Sequence, residues 1–222
     1  MNKKRLTSNF LLPVLKVILL SGLFISKSAI ASHKNDFLLS EANQKINVEQ
    51  GKETYQRLTQ WENMVFHDLG KTIEEKLKLV NDFFNQMQWA DDKDLWNKKD
   101  YWATPLESLI RNSGDCEDFA IAKYFTLLAM DVPEQQLKIT FVRINNQLGH
   151  MVLFYYPENS TEPLILDNME DKIVKQSERP ELNYVFSFNN DGMWLNSHKT
   201  AQADEKNVIQ QWAQMITKIK QE

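Results

Sequence analysis

The chain has 222 residues, a formal net charge of −4 and one cysteine, and 42% of its residues are hydrophobic. The slightly acidic balance, with no basic tract, argues against nucleic acid or an anionic membrane surface as the main partner. A single cysteine excludes an internal disulfide, so Cys116 is either a buried apolar filler or a free thiol.

The first 31 residues have the pattern of an export signal. The basic segment Lys3–Arg5 precedes a short apolar run, Val17–Ile25, and Ala29–Ala31 provides a small-residue cleavage site. We therefore predict a signal peptide over residues 1–31 and one mature domain over residues 32–222. The run is short and interrupted for a membrane span, and an uncleaved anchor is the alternative.

The segment that follows is helical in pattern until a polar stretch interrupts it. Apolar spacing predicts two antiparallel helices, one over Val48–Leu69 and one from Ile73 to Met87. The stretch "ADDKDLWNKKDYWA" (residues 90–103) predicts a long ordered loop. Its acidic residues lack the glycine and terminal glutamate of an EF-hand, which favours a solvated acidic turn over a calcium loop. These residues are Asp91, Asp92, Asp94 and Asp100.

Two further helices are predicted around the cysteine. The segment "TPLE" (residues 104–107) has a threonine N-cap, a proline at the first helical position and a glutamate that completes a capping box. This helix is predicted to end at Gly114. A second helix is predicted from Asp115 to Met130, which places Cys116 at its N-terminus.

Beyond Pro133 the apolar pattern changes to that of strands. The runs "KITFVRI", "HMVLFYY" and "PLILDN" predict an antiparallel meander, and "YVFSF" and "MWL" around the turn "NNDG" predict a hairpin. A closing helix carries Val208, Trp212, Met215 and Ile219 on one stripe. Helices, then sheet, then helix describe an α+β domain.

Three residues could together perform thiol catalysis, which needs a thiolate, a base and a group that orients the base. Cys116 lies at a helix N-terminus, His150 opens the second strand of the meander, and Asp167 closes the third. With the turn centred near Ser160, His150 and Asp167 are offset by roughly 10 Å. An asymmetric loop or a bulge would remove that offset. The structural alternatives are a packing cysteine, an ordinary surface or core histidine, and a turn aspartate.

Several longer motifs resemble one known family. "DYWATPLESLIRNSGDCEDFAIAKYF", "GHMVLFYYP", "PLILDNM" and "YVFSFNNDGMWL" are similar to the bacterial transglutaminase-like cysteine proteases, specifically those of the LapG type. The resemblance covers nearly all of the mature chain. It implies a papain-like, transglutaminase-core fold with N-terminal helices, a nucleophile helix, an antiparallel sheet and a C-terminal helix. It also implies a catalytic triad of Cys116, His150 and Asp167.

The resemblance further implies an activity, a metal and two partners. Such proteins are calcium-dependent periplasmic cysteine endopeptidases that clip the N-terminal region of a large cell-surface adhesin and so control biofilm release. An inner-membrane receptor for cyclic di-GMP restrains them. The calcium ligands would be Asp115 and Glu117, with Asp118 as a further candidate or as a helix cap. Carboxylates beside Cys116 should raise the pKa of its thiol, and a bound cation would offset their charge.

Two other functions are compatible with the same residues. A transglutaminase-type acyltransferase would use the same triad and thioester, with an amine in place of water as acceptor. A catalytically silent, calcium-dependent module would bind a protein partner through the acidic loop, in which Trp96 and Trp102 are expected to be exposed. Trp102 could instead complete the oxyanion hole or line the cleft.

Overall fold

The structure is a computed structural model that describes residues 51–195 and 202–222. The predicted signal peptide and the first part of the predicted mature domain lie outside the described residues. None of the helices over the described residues has the length and hydropathy of a transmembrane segment.

Both N-terminal helices are present, with bounds close to those predicted. Helix α1 spans Gly51–His67 and helix α2 spans Ile73–Phe84. Thr72 caps α2, because its hydroxyl accepts the Glu75 N–H while the Glu75 carboxylate accepts the Thr72 N–H at 2.8 Å. They do not form the expected pair, since α1 packs mainly against the helix of residues 105–111 and α2 against that of residues 116–129.

The predicted loop of residues 90–103 contains a short helix, α3 (Asp92–Trp96). The Asp91 side chain caps it by accepting the Lys93 N–H, and Asn97 ends it in the left-handed conformation at φ 53°. The prediction of a solvated acidic turn is wrong at Asp92, which is 3% exposed. Its carboxylate accepts the Tyr101 N–H, which ties the two ends of this segment together.

Helix α4 (Pro105–Arg111) begins as predicted and ends early. The Thr104 hydroxyl accepts the Glu107 N–H at 3.1 Å, and the Glu107 carboxylate accepts the Thr104 N–H at 2.8 Å. The predicted end at Gly114 is wrong because Asn112 adopts a left-handed conformation, with φ 54°, that stops the helix.

Helix α5 (Cys116–Ala129) follows with Asp115 as N-cap, within one residue of the predicted bounds at each end. Its buried residues lie on all sides, so it forms the centre of the domain. Just before it, β2 (Ser113–Gly114) pairs in parallel with β1 (Gln88–Trp89), which the sequence did not predict. This pair fixes the path of the chain into Cys116.

Six further strands follow α5, and they are β3 (Leu137–Ile144), β4 (Leu148–Tyr155), β5 (Leu164–Leu166), β6 (Val174–Lys175), β7 (Leu182–Asn189) and β8 (Gly192–Leu195). They form one antiparallel sheet in the order β6-β5-β4-β3-β7-β8. The predicted meander and hairpin are both present in it.

Helix α5 packs on β4 and β3, with α2 also against it, and the main core lies between these elements. Helix α6 (Gln202–Ile219) closes the domain: Trp212 stacks on Phe125 of α5 with ring centroids 5.6 Å apart and meets Phe188 of β7 edge-on at 5.3 Å. The arrangement confirms the predicted α+β class.

Candidate active site

Cys116 is the first residue of α5 and is half-buried. Its position depends on Gly114, because a Cβ there would lie 2.6 Å from a carboxylate oxygen of Asp118. The thiol lines a cavity of about 220 Å³ that is also lined by His150, Glu117 and Trp102. The predicted nucleophile and the predicted base thus meet at one cavity.

His150 and Asp167 are joined by a hydrogen bond of 2.8 Å between Nε2 and Oδ1. Strands β4 and β5 pair with Leu153 opposite Leu166, so the residue opposite Asp167 would be Val152, two positions from His150. An even offset keeps both side chains on the same face of the sheet, within diagonal reach. Because Nε2 faces Asp167, Nδ1 is the ring nitrogen that remains for the thiol.

The Asp167 carboxylate is almost fully buried and strongly held. Its Oδ1 also accepts the Met169 N–H at 3.0 Å, and its Oδ2 accepts a bond from Arg179 Nη1 at 3.1 Å. Burial raises the pKa of Asp167, but the His150 bond, the Met169 N–H and the Arg179 charge outweigh burial and lower it overall. The group is therefore ionised under physiological conditions.

The environment of the thiol opposes a thiolate. The Cys116 Sγ donates to Glu117 Oε2 at 3.2 Å. Burial first, and then the Glu117 and Asp115 charges, raise the pKa of Cys116 well above its usual range, while a backbone bond at Met151 lowers it in part. The expected effect of the neighbouring carboxylates is present in the folded protein.

The carboxylates around the start of α5 form two overlapping clusters. Asp92, Asp100 and Glu117 form one, and Asp92, Asp115 and Asp118 form the other; within each, one oxygen per residue lies within 4.8 Å of the others. Burial and mutual repulsion raise the pKa of Asp115 to about 10, and burial raises that of Glu117 to about 7. Without a cation, burial and repulsion therefore drive these carboxyl groups toward their neutral forms, and a bound cation would favour the ionised ones.

These clusters fit a hard cation. Oδ1 of Asp92, of Asp100 and of Asp115 are all buried without a hydrogen-bond partner among the described residues. A buried oxygen without a hydrogen-bond donor or a metal ion destabilises the folded protein. Calcium prefers carboxylate oxygens as ligands. Asp118 differs, since its two oxygens accept the N–H of Ala103 at 2.8 Å and of Asp115 at 3.4 Å, so it also completes the capping box of α5.

The comparisons with known proteins identify the family of the chain. A family model described as "Bacterial transglutaminase-like cysteine proteinase BTLCP" matches residues 60–202, a span that includes Cys116, His150 and Asp167. The chain belongs to this family. A search of curated protein sequences gives no significant match.

Solved structures of LapG from Legionella pneumophila are similar to most of the chain. One superposes with a TM-score of 0.69 at 37% identity, covering 82% of this chain and 96% of that one, and an EGTA-treated LapG gives the same values. A calcium-bound LapG gives a TM-score of 0.64 at 41% identity, covering 74% of this chain and 89% of that one. The predicted transglutaminase-like fold is confirmed.

Two of the five carboxylates of the clusters were not predicted from the sequence as metal ligands. Asp92 and Asp100 belong to the stretch interpreted as a solvated turn, although Asp92 is shared by both clusters. Their repetition in "ADDKDLWNKKD" was a usable signal, but nothing local shows that this segment folds back against α5. The three predicted metal residues all belong to the clusters.

A buried polar network behind Asp167 was also missed. Lys123 is fully buried, and its Nζ donates to Oδ1 of Asn81 and of Asn85 at 2.7 Å each. The Asn85 amide donates to the Asp167 carbonyl at 2.9 Å, and the Asn81 amide donates to the Asp171 carbonyl at 3.0 Å. Helices α2 and α5 thereby hold the chain segment that carries Asp167. A lysine within the apolar pattern of α5 was the available signal.

The two tryptophans are not exposed as expected. Trp102 is 3% exposed and stacks on Phe188 with ring centroids 5.7 Å apart, so the prediction that it is exposed is wrong. The prediction that it lines the cleft is confirmed, because it lines the cavity at Cys116. Trp96 is half-buried against Tyr101, at 4.7 Å, because α3 folds it inward. The exposed tryptophan of this region is Trp89, at 62%.

Proposed function

We propose that the protein is a calcium-dependent cysteine endopeptidase that cleaves the N-terminal region of a large cell-surface adhesin and so controls release from a biofilm. The observation that carries the proposal is the bonded His150–Asp167 pair at the cavity that Cys116 also lines. Membership of the cysteine proteinase family supports a peptidase, and the adhesin substrate is what the sequence resemblance implies.

Each residue of the proposed triad has a defined part in the reaction. The Cys116 sulfur attacks the carbonyl carbon of the scissile peptide bond while His150 takes the thiol proton on Nδ1. His150 returns that proton to the departing amine, and in the second half-reaction it removes a proton from the water that hydrolyses the thioester. Asp167 stabilises the imidazolium and fixes its tautomer. Backbone N–H groups at the start of α5 support the oxyanion.

Calcium is the proposed cofactor, since LapG has been solved in a calcium-bound form. In this chain Asp92, Asp100, Asp115 and Glu117 would hold it, with Asp118 as a cap that also belongs to the cluster. When bound, the ion would supply positive charge beside carboxylates that otherwise oppose a thiolate. It would also order the segment that enters α5.

We also propose a periplasmic location and restraint by an inner-membrane receptor for cyclic di-GMP. The pattern of residues 1–31 supports export, and the family resemblance supports the receptor. Binding of the mature protein to the periplasmic domain of such a receptor, with inhibition of cleavage, is the expected result. Absence of binding at micromolar concentration in a pull-down would remove this part of the proposal.

The central test is cleavage of N-terminal adhesin fragments from the same organism by the mature protein in calcium. Cys116→Ala and His150→Ala should abolish cleavage, whereas His67→Ala, which changes an exposed histidine at the end of α1, should not. Products are identified by mass spectrometry. Cleavage by Cys116→Ala at a rate comparable to that of the wild type would refute the assignment.

The same fragments distinguish the two other functions. Incorporation of a labelled amine into a glutamine substrate without peptide cleavage would indicate an acyltransferase. Fragment binding without either reaction, in a protein whose Cys116 is not alkylated by iodoacetamide at neutral pH, would indicate a catalytically silent module.

A further inference from the structure

A positively charged side chain, Arg179, contacts the oxygen of Asp167 that does not face His150. Oδ1 binds the imidazole at 2.8 Å, and Oδ2 accepts a bond from Arg179 Nη1 at 3.1 Å. Arg179 lies in the segment before β7, far in sequence from the helix that carries Cys116, and its side chain is 15% exposed. The proposed Cys–His–Asp series therefore continues to a fourth side chain.

Arg179 is itself held in place. Its Nε donates to Glu181 Oε1 at 2.5 Å, so the planar guanidinium bonds one carboxylate with each of two nitrogens. Glu181 thereby fixes the orientation of the guanidinium and offsets part of its charge. Arg179 does not line the cavity at Cys116, so it is not placed to contact a substrate there.

We propose that Arg179 is a positioning residue for the proposed hydrolysis, and that Glu181 tunes it. Arg179 keeps Asp167 ionised and fixes the plane of its carboxylate, so that Oδ1 stays directed at His150. The inference rests on the proposed function of the triad. A carboxylate bonded at one oxygen can rotate about its terminal torsion, whereas bonds at both oxygens remove that freedom.

Arg179 and the His150 imidazole bond the two opposite oxygens of Asp167, so the positive charge of Arg179 also disfavours a positive charge on the imidazole. Four other charged groups of the described residues lie near this part of the site. They are Glu181 before β7, Lys123 on α5, Asp171 after β5 and Glu117 across the cavity. Among these, Glu181 bonds Arg179 directly, so changes at Arg179 and at Glu181 should shift the imidazole titration in opposite directions.

The first experiment compares kinetics of cleavage with calcium present. Arg179→Met should lower kcat about 10- to 100-fold with KM within twofold of wild type, because outer residues that orient a base act on turnover. Arg179→Lys keeps the charge and should recover most of that loss. Arg57→Met is the matched control, since Arg57 is half-buried and bonds the Leu109 carbonyl, away from Asp167.

The second experiment needs no substrate. In a Cys116→Ala background, the NMR titration midpoint of the His150 ring is measured, with His150→Gln used to assign the resonance. Arg179→Met should raise the midpoint, because the positive charge on the far oxygen of Asp167 is removed. Glu181→Gln should lower it by a smaller amount. This variant keeps the test decisive if Arg179→Met does not fold.

The outcomes distinguish a failure of the positioning role of Arg179 from a failure of the proposed function. Unchanged midpoints in Arg179→Met and Glu181→Gln would overturn the positioning role, whatever the activity. Equal losses of kcat in Arg179→Met and Arg57→Met would also overturn it, because they would reflect general destabilisation. Opposite midpoint shifts in a protein that cleaves no adhesin fragment would support the role of Arg179 and refute the proposed function alone.

Discussion

Replacement of Asp167 by asparagine tests the catalytic geometry most directly. The wild-type carboxylate accepts three bonds: His150 and the Met169 N–H at Oδ1, and Arg179 at Oδ2. An amide offers one oxygen and one NH₂ group, so it cannot satisfy all three donors. Its orientation decides how much catalysis is lost.

The two orientations differ in cost. If the amide NH₂ took the Oδ1 position, it would face the backbone N–H of Met169, which cannot move, and would force the proton of His150 onto Nδ1. If it took the Oδ2 position, it would face Arg179, which retains its bond to Glu181. The structure therefore favours the second orientation, with the correct imidazole tautomer and a lost charge.

The expected loss follows from this choice. Losing one charge-assisted bond costs about 1.5–3 kcal/mol, which corresponds to roughly 10- to 150-fold in kcat/KM. A wrong tautomer would cost about 10⁴-fold, the loss seen for the same substitution in serine proteases. We therefore expect Asp167→Asn to be impaired about 10²-fold, less than His150→Ala.

The assay is kcat/KM on an adhesin fragment, with the His150 tautomer read from ¹⁵N shifts in a Cys116→Ala background. Activity within twofold of wild type would refute the orienting role of Asp167. A 10⁴-fold loss with the imidazole proton on Nδ1 would refute the inferred amide orientation and leave the role itself intact.

Three further predictions concern the metal and stability. Asp92→Asn should weaken calcium binding at least about tenfold by titration calorimetry, because Asp92 belongs to both clusters, while exposed Asp94→Asn should not. Lys123→Met should lower the free energy of unfolding by about 1–3 kcal/mol in urea, since it leaves the buried amide oxygen of Asn81 and the half-buried one of Asn85 unpaired. Because the folded pKa of Asp167 is lowered, its stabilisation is present above about pH 4 and lost at lower pH, so wild type and Asp167→Asn should converge in stability there.

Sequence patterns were sufficient to predict those features that depend only on residues close together in the chain. The cap at Thr104 and the meander that begins at Leu137 depend on neighbouring residues, and both are present. The end of α4 was missed because Asn112, rather than Gly114, adopts the left-handed conformation. An asparagine does so less often than glycine, so the pattern favoured the later residue.

Contacts between distant segments could not be predicted in the same way. The turn centre inferred near Ser160 gave an offset of about three residues between His150 and Asp167, which would place them on opposite faces of the sheet. The actual register gives an offset of two, and the side chains meet. Likewise, the burial of Asp92 follows from packing of α3 near α5, which a run of aspartates does not reveal.

The position of the only thiol among carboxylates has a physical reason in the start of α5. Asp115, Cys116 and Glu117 are consecutive, so one turn of backbone sets both the metal-binding oxygens and the sulfur. Any change in the path through Gly114 moves both together, because Asp118 fills the space that a side chain there would need. A cation at these carboxylates would therefore order the proposed nucleophile through the covalent chain itself, without a separate pathway between two sites.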